Sequence, residues 1–216
     1  MKPVSNLLLI IIGLALSLNA FSQDPSRFKV ELQPIIGVNP ENTNSGQIIF
    51  TGSSSFKMWT NVGEYFPEKQ ILNHGFGGSE MSDLLYYADD LILKFKPSKI
   101  LIYEGDNDIN SGDKPEDILR EANKLVQAIR KTLPEVGILF LAAKPSIARW
   151  HLKQEYLTFN DGLKRFCNEN NLVYVDVWSV MLDDQGNLKK GLFIEDGLHM
   201  NVKGYDLWAG VIKDYL

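Results

Sequence analysis

The sequence predicts an α/β fold: a three-layer α/β/α sandwich around a five-stranded parallel sheet. Three observations carry that prediction. Five short, apolar, β-prone runs recur along the chain. Segments with helical periodicity fill the gaps between them. The runs are continuously apolar rather than alternating with polar residues, as expected of strands covered on both faces. Strands that alternate with helices imply right-handed crossovers and therefore a parallel sheet.

The predicted strands cover residues 47–51 (QIIFT), 71–73 (ILN), 99–103 (KILIY), 136–142 (VGILFLA) and 172–177 (LVYVDV). The clearest helix covers 115–133. Pro115 opens its first turn, and Glu116 and Asp117 follow where the helix dipole favours anions. Ile118, Ala122, Leu125, Ile129 and Leu133 then recur at three- and four-residue spacing. Two further helices are predicted over 152–169 and 201–216. The stretch 38–46 (VNPENTNSG) is a loop leading into the first strand.

Residues 1–22 have the pattern of a signal peptide: Lys2, an apolar run over 7–18, then small residues at Ala20 and Ser22. Cleavage is expected after Ser22. The run is short for a membrane span of about 20 residues, so no stable membrane insertion is expected once it is cut; the alternative is an uncleaved anchor. Residues 23–216 are expected to form a single domain. The expected location is therefore periplasmic or extracellular.

Of 216 residues, 44% are hydrophobic and 23% charged, as in ordinary globular proteins. The net charge of −5 and the lack of any basic block argue against nucleic acid and anionic membrane surfaces as partners. The single cysteine, Cys167, allows no intrachain disulfide. It lies in a helical pattern and is expected to be a small buried hydrophobe.

In a doubly wound sheet, ligands bind at the carboxyl ends of the strands, so the residues just after each strand matter most. After the first come Gly52, Ser53, Ser54 and Ser55. Such serines can cap a helix; one at the helix N-terminus can also be a nucleophile, because the dipole there favours charge on Oγ. After the second come Gly75, Gly77 and Gly78, whose N–H groups can form an anion-binding nest. A dinucleotide fingerprint fits poorly, since Glu80 replaces its third glycine. After the third comes Asn107, an Asx-turn residue or a side-chain donor to an oxyanion.

Near the end, Asp196 stands three residues before His199. The chain has three histidines, His74, His151 and His199, and only His199 has a carboxylate at a short fixed spacing in a glycine-containing loop. Asp196 can fix its tautomer and leave the other ring nitrogen as a base; a structural hydrogen bond is the plainer alternative. A metal pair would need more ligands, for which only His74 or Asp106 can be nominated. No metal or cofactor is expected.

Gly52-Ser53-Ser54, Gly75-Phe76-Gly77-Gly78, Gly105-Asp106-Asn107-Asp108 and Asp196-Gly197-Leu198-His199 follow one another in the order of the four blocks of the SGNH or GDSL-type serine hydrolases, which the chain resembles over residues 47–205. The resemblance implies a flavodoxin-like sheet with an open site, cofactor-free ester or thioester hydrolysis, and specific roles. Ser54 would be the nucleophile, His199 the base and Asp196 its orienting acid. The Ser54 and Gly78 N–H groups and the Asn107 side chain would form the oxyanion hole. One residue departs from the pattern: Ser53 stands where the family has aspartate.

Lys144, Arg149 and Trp150 follow the fourth strand, where Arg149 and Trp150 are candidates for substrate binding. Short loops and no apolar lid argue against a dedicated lipase. The expected activity is removal of short acyl groups, acetyl foremost, from a carbohydrate or related ester. The alternatives are a lysophospholipase or thioesterase of the same mechanism, and a non-catalytic glycan-binding module.

Overall fold

The computed structural model describes residues 24–40 and 46–216. The signal-type segment 1–22 and its cleavage point lie outside the described residues, as do residues 41–45 of the predicted loop. A 3-10 turn, Pro25–Phe28, leads into α1 (Lys29–Ile36). Asp24 caps the turn: its Oδ1 accepts the Ser26 N–H at 2.9 Å. The chain then runs through β1 (Ile48–Gly52), α2 (Ser54–Lys57), α3 (Val62–Tyr65), β2 (Ile71–Gly75), α4 (Met81–Tyr86), α5 (Ala88–Leu91) and β3 (Lys99–Tyr103). It continues through α6 (Asp106–Ser111), α7 (Pro115–Thr132), β4 (Gly137–Leu141), α8 (Lys153–Glu169), β5 (Val173–Val175) and α9 (Val202–Ile212).

The five strands form one parallel sheet in the order β2-β1-β3-β4-β5, as the alternating pattern predicts. β1 pairs in register with both neighbours, Phe50 lying between Asn73 and Leu101. All five residues of β1 are buried, which explains its unbroken apolar run. Helices α4, α7 and α8 pack side by side. Trp208 of α9 meets Phe56 of α2 and Trp59 just after it. Ile118, Ala122, Leu125 and Ile129 of α7 are buried in the core, and Leu133 packs partly against it.

The order reverses between β1 and β3: the chain leaves β1 for one edge of the sheet and β3 for the other. The crevice between their carboxyl ends is the switch point at which such sheets bind ligands. β5 is shorter than predicted, because Asp176 turns the chain by accepting the N–H groups of Trp178 (3.1 Å) and Ser179 (2.9 Å). The last helix ends at Ile212 and finishes as a 3-10 turn, Lys213–Tyr215. Helices α2 to α6 are too short to leave a periodic signature. Cys167 is buried, and burial pushes its thiol up to about 12, as its place in a helical pattern suggests. Among the described residues, no helix is long and apolar enough to cross a membrane.

Candidate active site

β1 ends at Gly52, with φ at +120°. A Cβ there would lie 2.1 Å from the Tyr103 carbonyl oxygen, so only glycine lets the two strand ends come this close. The Ser53 N–H donates to that same carbonyl at 2.9 Å. Ser53 is thereby fixed as the N-cap of α2, and Ser54 becomes its first residue. The Ser54 N–H has no partner among the described residues, as expected of a first-turn amide.

At the far end of the chain, Asp196 and His199 share a tight turn. The Ile194 N–H donates to the His199 carbonyl at 2.9 Å, and the Gly197 N–H to the Ile194 carbonyl at 3.0 Å. Asn201 pins the turn by donating to the carbonyls of Gly191 (2.9 Å) and Phe193 (3.1 Å). Asp196 Oδ2 lies 2.6 Å from His199 Nδ1, and Oδ1 accepts the N–H groups of Leu198 (2.8 Å) and His199 (2.9 Å). Desolvation is the largest single influence and raises the Asp196 carboxyl, but the hydrogen bonds from His199 and Leu198 together outweigh it and hold the group at about 2. An ionised carboxylate only accepts, so Nδ1 of the imidazole carries the hydrogen. In the neutral ring Nε2 is then bare, 3.0 Å from Ser54 Oγ and able to take its proton.

Of the three adjacent serines, Ser54 thus faces the histidine. Ser53 turns the other way and accepts a hydrogen bond from Asn107 Nδ2 at 2.7 Å. Asn107 also donates to the Ser79 carbonyl at 2.8 Å. One amide group therefore ties together the neighbours of Ser54 and of Gly78. Gly78, with φ at +80°, is exposed, and its N–H has no partner among the described residues.

Residues 42–207 match the model of the GDSL-like lipase/acylhydrolase family. The chain belongs to this family. It is 30% identical over 140 residues to a multidomain esterase from Ruminococcus flavefaciens, a match covering 59% of this chain and 17% of that protein. The matched stretch is thus a small part of that relative. A GDSL-like lipase from Bacteroides thetaiotaomicron superposes with a TM-score of 0.74 at 14% identity, covering 89% of this chain and 98% of the other. A catalytic mutant of an acetylxylan esterase from Geobacillus stearothermophilus gives 0.64, also at 14% identity, covering 79% and 94%. At such identities the two structures bear on the fold alone, and the fold is the one the four sequence blocks imply.

Beneath the family's Gly-x-Asn-Asp block lies a buried charge network that the sequence did not reveal. Asp106 pairs with Lys144 Nζ at 3.1 Å and Arg149 Nη1 at 2.6 Å, and also accepts the Tyr156 hydroxyl. Burial would raise its carboxyl, but the two cations overcome that and hold it far below the usual range. Asp106 is fully engaged there, and it does not serve the metal reading. Among the described residues, no group of three or more metal-binding side chains occurs. His74 is likewise structural. It is buried and hydrogen-bonds the Leu91 carbonyl through Nδ1 at 2.6 Å, and burial lowers it to about 4.

Arg149 is drawn inward. Its Nη2 donates to Asn107 Oδ1 at 3.0 Å, which orients the amide with Nδ2 toward Ser53 and Ser79. Its bonds are to Asp106 and Asn107, and through them it orients the Asn107 amide. Asp108 joins two helix starts, accepting the N–H groups of Met81 (2.8 Å) and Gly105 (3.0 Å). Burial raises its carboxyl to about 7. Trp150 is half-buried and stacks on Trp178, centroids 6.2 Å apart and 15° between planes. With Ile147, Asn187, Leu188 and Lys190 it lines a cleft of about 350 Å³. That cleft borders the Asp196–His199 turn: the Ala148 N–H donates to the Gly197 carbonyl at 3.0 Å, and Ile147 packs against Gly197.

Proposed function

We propose that the protein is a carboxylic ester hydrolase that works through an acyl-enzyme on Ser54, and that it removes short acyl groups, acetyl foremost, from a carbohydrate or related ester. The observation that carries this reading is the relay from Asp196 to His199 (2.6 Å) to Ser54 Oγ (3.0 Å), with backbone N–H groups at Ser54 and Gly78 that have no partner among the described residues.

In the first step, His199 Nε2 takes the Ser54 proton as Oγ bonds to the ester carbonyl carbon. The oxyanion rests against the Ser54 and Gly78 N–H groups and Asn107 Nδ2, which turns one of its two N–H groups from Ser53 Oγ or the Ser79 carbonyl to the oxyanion. A donor of this kind is worth about 10²–10³ in rate. As the intermediate collapses, the ester C–O bond breaks and the leaving alcohol takes the proton from Nε2. Water then repeats the sequence on the acyl-enzyme, releasing the acid and restoring Ser54.

The cleft at Trp150, Asn187 and Lys190 supports a sugar on the alcohol side, because an aromatic edge flanked by an amide and an ammonium matches a hydroxylated ring. The acetylxylan esterase among the structural neighbours agrees with an acetylated glycan as substrate. The signal-type segment 1–22 supports action outside the cytoplasm.

The test is hydrolysis of p-nitrophenyl acetate, longer acyl esters and acetylated oligosaccharides by the protein and by Ser54→Ala and His199→Ala. Turnover should fall by several orders of magnitude in both variants. Trp150→Ala should raise KM for the oligosaccharide and leave p-nitrophenyl acetate unaffected. Activity that survives in Ser54→Ala would refute the nucleophile assignment.

A further inference from the structure

The family match begins at residue 42, yet an ordered segment precedes it. That segment is strapped onto the glycine block. Phe28 and Leu32 are buried, and the Phe28 ring meets Phe76 edge-on at 5.0 Å. Arg27 pairs with Asp83, the Tyr87 hydroxyl donates to the Pro25 carbonyl at 2.9 Å, and Lys94 Nζ donates to the last carbonyls of α1, Ile35 (3.0 Å) and Ile36 (2.8 Å).

The contact that bears on the chemistry is made by Glu31. Its Oε1 accepts the Gly77 N–H at 2.8 Å and lies 2.9 Å from Lys57 Nζ. Lys57 ends α2, the helix that Ser54 begins; Gly77 precedes Gly78, whose N–H has no partner among the described residues. The flanks of this loop are held from within the family's domain. The Phe76 N–H donates to the Gly52 carbonyl at 2.8 Å, and Ser79 Oγ donates to Glu104 at 2.6 Å. Between those anchors lie two glycines, the residues with most backbone freedom to lose, and among the described residues Glu31 supplies the one side-chain hydrogen bond to them. Lys57 offsets the carboxylate's charge, so the tether adds little repulsion where an oxyanion would form.

We propose that Glu31 is a positioning residue for ester hydrolysis: from outside the family's domain it holds the Gly77 peptide so that the next N–H, that of Gly78, faces the developing oxyanion. This rests on the ester-hydrolase reading of the same site. The strap would couple the segment just after the signal-type sequence to the rate of the chemical step, since a donor preorganised before reaction costs nothing to align during it.

The experiment compares the protein with Glu31→Ala, Glu31→Asp and Glu31→Gln on p-nitrophenyl acetate. It resolves kcat from KM and adds the affinity for a boronic acid that mimics the tetrahedral intermediate. Glu31→Ala should lower kcat about tenfold, a part of the loss from deleting a donor outright. Its KM should stay within about twofold, and boronate affinity should fall in step with kcat. Glu31→Gln keeps an oxygen acceptor and should recover most of the rate. Glu31→Asp draws the oxygen back by one methylene and should behave like Glu31→Ala, so it carries the test should the alanine variant fail to fold. Wild-type kcat and boronate affinity in Glu31→Asp, or a lowered melting temperature as the only change, would overturn the proposal. Labelling of Ser54 by a fluorophosphonate separates the two readings. Labelled protein with Glu31-independent kcat refutes the positioning role alone, whereas wild type that neither labels nor turns over refutes the hydrolase reading and this proposal with it.

Discussion

Arg149→Met separates two roles for one side chain. As a substrate contact, Arg149 would bind ground state and transition state alike, and its loss would raise KM while sparing kcat. The structure assigns a different outcome. Methionine keeps the apolar stem but removes two hydrogen bonds to Asp106 (Oδ1 at 2.6 Å, the carbonyl at 2.9 Å) and the one to Asn107 Oδ1 at 3.0 Å. Asp106, with its side chain 5% exposed, keeps Lys144 as its remaining cation. Breaking a buried pair costs about 3–5 kcal/mol, and the surviving Lys144 contact argues for the lower end. At about 2–4 °C per kcal/mol, the melting temperature should fall by roughly 6–12 °C. Asn107, freed at its oxygen, is still held by Ser53 and Ser79. The kcat loss should therefore stay below the 10²–10³ of a deleted donor, at about tenfold to a hundredfold. Thermal melts and steady-state kinetics at 25 °C on p-nitrophenyl acetate measure both quantities. A kcat within twofold of wild type, with KM raised, would refute the orienting role.

Ser53→Ala removes an acceptor from Asn107 and should slow kcat several-fold; Ser53→Asp restores both the acceptor and the family's residue and should be at least as active, as the same assay would show. His74→Gln keeps a donor for Leu91 but no longer titrates. The folded imidazole is held near 4 against an ordinary 6.5, so the unfolded chain binds the extra proton as pH falls. Its contribution is complete above pH 6.5 and is lost toward pH 4. Between those limits the wild type should lose about 3 kcal/mol more than His74→Gln in urea melts; parallel profiles would exclude the mechanism. Cys167, pushed to about 12 by burial, should resist iodoacetamide in the native state and react only on unfolding.

What the sequence disclosed follows from how far each signal reaches along the chain. Ser54, Gly78, Asn107 and the Asp196–His199 pair each stand immediately after a strand or in a tight loop, so a short window shows both the residue and its setting. The α7 face was visible for the same reason, as its apolar spacing lies within one helix. The orienting side chains are different. Arg149 is 42 residues from Asn107, Lys144 is 38 from Asp106, and Glu31 is 46 from Gly77. No local pattern distinguishes an arginine that faces a cleft from one that turns toward a buried aspartate; only the docking of the loop after β4 onto α6 decides it. Ser53 was legible as a departure from the family's block. Its partner was not, because the hydrogen bond depends on where β3 delivers Asn107.

On the ester-hydrolase reading, the carboxylates around Asn107 set the field in which a substrate oxygen would become negative. Asp106, Asp108 and Glu104 all lie within three residues of it and are buried, and three unscreened anions there would oppose an oxyanion strongly in a low dielectric. The fold deals with each differently. Asp106 remains ionised but faces two cations, so that corner carries net positive charge. Glu104 is buried, and that burial raises its carboxyl well above the ordinary value. Its Oε1 accepts the Ser79 hydroxyl at 2.6 Å, and its Oε2 has no partner among the described residues. Asp108 is raised to about 7, and the N–H groups at the starts of α4 and α6 balance its partial charge. Along this acidic stretch the fold thus sets two cations against Asp106, backbone N–H groups against Asp108, and burial around Glu104. On the ester-hydrolase reading, electrostatic preorganisation depends on how those acids are compensated as well as on the donors themselves.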